Sequence, residues 1–144
     1  MDLTQKKIKG RHFGFIYQLN KSMLKKILFI EDERALQKTF HAILTEKGYE
    51  LISAYDGESG LKLAKEEKPD LILLDLILPK IHGLDVLEAL KKDPATKEIP
   101  VIVLTNVEQI DAVQRALELG ATTYLVKAQY TIEEVLEKIE KILK

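Results

Sequence analysis

A chain of 144 residues, 46% hydrophobic and 31% charged, can bury the core of one globular domain. It lacks cysteine, which excludes disulfides and thiolate metal sites, and no apolar run approaches the ~20 residues of a membrane span. The net charge of -1 is uneven: residues 1–22 hold Lys6, Lys7, Lys9, Arg11 and Lys21 against Asp2, a local +4 that leaves -5 for residues 23–144, an acidic balance that argues against a nucleic-acid surface there.

Residues 1–22 are basic and carry a short apolar cluster at Phe13–Tyr17 without helical or strand periodicity. They are expected to be a poorly ordered extension. An added helix docked on the domain, or a start placed ahead of the natural strand entry at Met23, are the alternatives. A signal peptide fits poorly, because the apolar part is too short and Lys21 stands where small residues belong.

From Leu24 the sequence predicts five strand–helix alternations. The first strand is Lys26–Ile30, followed by Glu31 and Asp32. A helix with Leu36, Phe40, Ile43 and Leu44 on one face ends at Gly48. Glu50–Ala54 reads as an exposed edge strand, and a short helix with Leu61 and Ala64 inward follows Asp56 and stops before Pro69. The third strand lies in the run Asp70–Pro79, apolar except for Asp70 and for Asp75 set into it. An ionised carboxylate in so apolar a run belongs where the chain leaves the sheet, beside a cation. Next come a helix with Leu84, Leu87 and Leu90 ended by Asp93 and Pro94, and a fourth strand, Pro100–Thr105. A helix expected to bury Ile110, Val113 and Leu117 stops at Gly120, and Thr123–Lys127 is the fifth strand. The last helix opens on a capping box, Thr131 with Glu134.

This alternation implies an α/β fold: a doubly wound five-stranded parallel sheet between two helical layers, strand order 2-1-3-4-5. Ligands bind such sheets at the carboxyl ends of the strands, beside the switch between the first and third. Those ends carry Glu31, Asp32, Asp75, Thr105 and Lys127. Three acids against one ammonium ask for a divalent cation, and an all-oxygen donor set suits Mg²⁺. A carboxylate can accept a phosphoryl group. Mg²⁺, Lys127 and the Thr105 hydroxyl would then each meet one of its oxygens. Taken singly the signals are weak, since Asp32 could cap a helix, Thr105 could be an ordinary strand residue, Lys127 a solvated strand end and Tyr124 a half-buried sheet aromatic. Their joint placement at successive strand ends carries the functional reading.

From about Met23 to Lys144 the chain resembles the receiver domain of bacterial response regulators, the CheY-like family. The matching stretches run through Glu31–Asp32, Asp70–Pro79 with Asp75, the strand ending at Thr105, and Gly120–Lys127 with Tyr124. The resemblance implies that Asp75 accepts a phosphoryl group from the phosphohistidine of a sensor histidine kinase or phosphotransfer protein. Asp32, Asp75 and the Ile77 carbonyl would hold Mg²⁺, with Glu31 acting through water. Thr105 and Tyr124 resemble the family's switch pair, which repacks the face of the fourth helix, fifth strand and fifth helix for a downstream protein. A cytoplasmic signalling protein is implied, not an enzyme acting on external substrates, and a homodimer on phosphorylation stays open. As nothing follows Lys144 in this sequence, a stand-alone receiver is expected.

Two departures stand out. Ala128 replaces the family's proline after the strand-five lysine, and a cis bond before a non-proline costs ~2.5–4 kcal/mol, so a trans or reshaped loop is expected. Neither Ile77 nor Val107, each two residues past a rim residue, is an acid or amide, which predicts slow self-hydrolysis of a phosphoryl group. Ile77 also stands where a haloacid-dehalogenase-type phosphatase would need its second acid, which disfavours that enzyme. A phosphorylation-independent interaction module is the third reading, opposed by the complete acidic pair, Asp75, Thr105 and Lys127. His12, His41 and His82 show no partner that would single them out.

Overall fold

Five strands and five helices alternate along residues 23–144, the part of the chain that the computed structural model describes; the extension expected over residues 1–22 lies outside the described residues. The order is β1 (Lys26–Ile30), α1 (Arg34–Glu46), β2 (Glu50–Ala54), α2 (Gly57–Glu67), β3 (Leu71–Leu74), α3 (Gly83–Lys92), β4 (Val101–Thr105), α4 (Ile110–Glu118), β5 (Thr123–Val126) and α5 (Ile132–Leu143). All pairings are parallel, in the order β2-β1-β3-β4-β5. Among the described residues no helix is long and apolar enough to cross a membrane.

The central strands are apolar at nearly every position because both of their faces are covered. Leu28, Ile30, Ile72, Leu74, Val101 and Val103 face one core, closed by α2, α3 and α4. Ile27, Phe29, Leu71, Leu73, Ile102 and Leu104 alternate with them and face the other, closed by α1 and α5. Phe29 and Phe40 fix the seat of α1 there, with ring centroids 4.8 Å apart. Burial of this kind stabilises by about 1.5–3 kcal/mol per large apolar side chain, and so permits acids at the strand ends that the core itself could not hold.

Helix ends follow the local chemistry. Gly48 and Gly120 take φ of +92° and +107° where α1 and α4 stop. Asp56 caps α2 by accepting from the Ser59 N–H at 2.8 Å. At α5 the capping box forms in both directions. His82 caps α3, its Nδ1 accepting from the Leu84 N–H at 3.1 Å. That supplies the partner the sequence did not suggest.

One expectation is corrected. On α4, Ile110 and Leu117 are 72% and 48% exposed, and Val113 is only half-buried, so they are not a buried stripe. The small side chains Ala112 and Ala116, with Leu119, face the sheet instead. A helix lying close over a sheet favours a small residue at the contact. The larger apolar residues are left facing outward.

Gly83 brings α3 against the chain leaving β3, its N–H bonded to the Leu76 carbonyl at 2.9 Å. After β5, Lys127–Gln129 forms a single 3-10 turn, and no cis peptide occurs among the described residues, as expected for Ala128.

Candidate functional site

The acids meet because β1 and β3 are neighbours whose ladder ends level. Ile30 pairs with Leu74, and the Asp75 N–H continues the ladder to the Ile30 carbonyl at 3.0 Å. On the other side of β1, the Glu31 N–H reaches the Ala54 carbonyl at 2.9 Å. Both acids are thereby fixed one residue beyond the strands. Each of Glu31, Asp32 and Asp75 offers a carboxylate oxygen, and these oxygens lie within 4.8 Å of one another. Glu31 and Asp75 are buried; Asp32 is exposed. The N-cap position of α1 is Glu33, so Asp32 is not spent on capping the helix.

Lys127 supplies the cation expected of it, and more. Its Nζ donates to Asp75 Oδ2 at 3.0 Å and to Glu31 Oε1 at 2.6 Å, bridging the two buried acids. Burial alone would lower the Lys127 pKa, but its hydrogen bonds to the Glu31 and Asp75 carboxylates outweigh it and hold the ammonium above its ordinary value. Burial pushes the Glu31 carboxyl up, against the pull of Lys127 and the Glu33 N–H. One ammonium thus offsets one of three formal negative charges. The donor set, hard carboxylate oxygens with one acid open to solvent, fits a Mg²⁺ ion that keeps several waters.

Around this cluster the other rim residues take up distinct places. Ile77 donates its N–H to Asp75 Oδ1 at 3.2 Å and turns its side chain out, 59% exposed. Thr105 ends β4, fully buried, and its Oγ1 accepts from the Val107 N–H at 3.4 Å. Tyr124, half-buried, donates its hydroxyl to the Val107 carbonyl at 2.7 Å. Thr105 and Tyr124 therefore hold opposite ends of one residue. Next to it, Asn106 Oδ1 accepts from the Ala128 N–H at 3.2 Å, a bond that a proline at 128 could not make.

Three features escaped the sequence. The Lys127–Glu31 bond joins residues 96 positions apart, and only the β4–β5 register reveals it. Arg34 stacks on the Tyr55 ring, its guanidinium carbon 4.1 Å from the centroid, linking the start of α1 to the loop after β2. Gln37 is buried on α1 beneath Glu31, a polar side chain within an otherwise apolar face, which was the one available signal.

Known proteins resemble this chain over most of its length. A sequence model described as the response regulator receiver domain matches residues 27–140. The DNA-binding dual master transcriptional regulator RpaA of Synechocystis sp. is 38% identical over 119 residues, 83% of this chain and 49% of that protein. The chain spans about half the length of the first curated relatives it matches. Among solved structures, a CheY-like response regulator receiver domain protein from Methanospirillum hungatei JF-1 superimposes with a TM-score of 0.78 at 30% identity, covering 83% of this chain and 94% of that one. The Mn²⁺-bound form of response regulator Rcp1 gives a TM-score of 0.68 at 33% identity, covering 83% and 89%.

Proposed function

The chain belongs to the response regulator receiver domain family, and on that premise we propose that it is the phosphoacceptor of a two-component phosphorelay, with Asp75 the residue phosphorylated. The observation that supports this most is the bridge of Lys127 between Asp75 and Glu31, beside the solvent-facing Asp32. Three carboxylates against one ammonium leave a formal deficit of two positive charges, which one divalent cation would supply.

In the proposed reaction an Asp75 oxygen attacks the phosphorus of a phosphohistidine. The O–P bond forms as the N–P bond breaks, and the imidazole leaves with the electron pair and takes up a proton. Lys127, already on Asp75 Oδ2, neutralises one phosphoryl oxygen, and the Thr105 hydroxyl donates to another. Glu31, Asp32 and Asp75, with the Ile77 carbonyl, would hold Mg²⁺, which supplies the remaining charge neutralisation. The similar response regulator Rcp1 has a Mn²⁺-bound form, which supports divalent-ion binding by this chain.

The switch reading rests on Val107. If the Thr105 hydroxyl turns to a phosphoryl oxygen, it releases the Val107 N–H, while Tyr124 keeps hold of the same residue's carbonyl. Movement at the rim then reaches the face of α4, β5 and α5, which presents Ile110 and Leu117 to a protein partner or a second copy of the chain. A sensor histidine kinase or phosphotransfer protein in the cytoplasm would be the donor. Incubation with acetyl phosphate and Mg²⁺, read by intact mass, tests the reading. One phosphoryl adduct is expected on the wild type and none on Asp75→Asn; adducts on both, or on neither, refute it.

A further inference from the structure

Gln37 is 2% exposed, yet its amide meets only polar partners. Nε2 donates towards the carbonyls of Phe29 at 2.9 Å, Glu31 at 3.0 Å and Ala54 at 3.1 Å. Two N–H groups serve three acceptors, so at least one proton is shared. Oε1 accepts from Ser53 Oγ at 2.7 Å. The three carbonyls set the orientation of the amide, because a flipped amide would aim its oxygen at three carbonyl oxygens, and the Ser53 hydroxyl gives the amide oxygen its donor.

The placement of those carbonyls matters. The β1–β2 pairing ends at Ile30 and Ala54, and the Glu31 carbonyl lies one residue past it. Gln37 continues the ladder by one step with a side chain in place of a strand. A carbonyl held at that point fixes the plane of the Glu31–Asp32 peptide. The direction in which both acidic side chains leave the backbone follows from it.

Resting on the phosphoacceptor reading above, we infer that Gln37, braced by Ser53, is a positioning residue for the divalent-cation site, aiming Glu31 and Asp32 while touching neither carboxylate. Groups that orient metal-holding residues from behind typically affect affinity by about 10–100-fold when removed.

The test is calorimetric titration of the full 144-residue chain with Mg²⁺, for the wild type, Gln37→Leu, Ser53→Ala and Ser53→Thr, each also melted without metal. Gln37→Leu should bind about 10-fold or more weakly. Ser53→Ala should bind several-fold more weakly, as the buried amide oxygen loses its donor and the amide its brace, and Ser53→Thr, which keeps the hydroxyl, should bind like the wild type. A purely structural Gln37 would lower the melting temperature and leave the dissociation constant unchanged well below it; that result overturns the inference. Should Gln37→Leu not fold, Ser53→Ala decides, and wild-type affinity in it overturns the inference equally. A wild type that takes up no ion refutes the Mg²⁺-dependent phosphoacceptor reading, and this inference with it.

Discussion

Replacing Gly83 by alanine probes the joint between fold and site. A Cβ at Gly83 would lie 2.3 Å from the Leu76 Cα, 2.5 Å from the Asp75 carbonyl oxygen and 2.9 Å from the Leu76 carbonyl carbon. These are backbone atoms, so no rotamer change gives relief; the chain after β3 must shift away from α3. Overpacking costs typically ~1–3 kcal/mol, and a clash with backbone belongs at the upper end. The lower unfolded-state entropy of alanine returns only about 0.4–1 kcal/mol. A net loss of roughly 2 kcal/mol follows, or a fall in melting temperature of about 4–8 °C for a domain of this size. Urea unfolding followed by far-ultraviolet circular dichroism should show an earlier midpoint with an unchanged slope. Because the shift carries Ile77, whose N–H bonds Asp75, labelling by acetyl phosphate should slow as well. Gly48→Ala is the control: at φ +92° with nothing within 4 Å of its Cβ, it should lose about 1–2 kcal/mol to backbone strain alone and label normally. A Gly83→Ala protein that unfolds at the wild-type urea concentration refutes the reasoning.

Three other outcomes are expected. The Ser59 N–H, ahead of its hydroxyl and Lys80, holds the Asp56 carboxyl below its ordinary value against some burial. Its contribution, about 1 kcal/mol as a helix cap, is complete above pH ~4 and lost as pH falls through the lowered folded value; acid titrations of wild type and Asp56→Asn should diverge only below that point. Phosphoryl decay after acetyl-phosphate labelling should be slow and should quicken in Ile77→Glu, whose acid can orient water; loss from the wild type within seconds contradicts this. The paired change Ile110→Lys and Leu117→Lys should leave the unfolding free energy from urea titration within about 0.5 kcal/mol of wild type, since both side chains face solvent. A loss of 2 kcal/mol or more would return them to the core.

The strand order and the acidic rim were legible because an apolar run that ends in a charged residue marks both a buried strand and the place where the strand ends. Asp75 after Leu71–Leu74 and Glu31 after Lys26–Ile30 are such places. The α4 face was misread because hydrophobic size was taken as the measure of burial. Ile110 and Leu117 are the larger residues, but Ala112 and Ala116 allow the close approach to the sheet. Gln37 showed only as a polar break in the apolar face of α1, and its role could not be read: its partners are carbonyls of Phe29, Glu31 and Ala54, which converge only once β1 and β2 are paired. The Lys127 contact with Glu31 likewise depends on how far a flexible side chain reaches across the end of β4.

The two edges of the sheet are not equivalent to its middle. β3 and β4 are buried along their whole length and β1 nearly so, whereas β5 is buried only at Leu125. Amide hydrogens of the three central strands should therefore exchange only on global unfolding, and those of β5 through smaller, cheaper openings. Glu31, Asp75 and Thr105 hang from the first group; Tyr124 and Lys127 belong to the second. The carboxylates stay anchored while the lysine that bridges them rides on the strand with the most freedom to open.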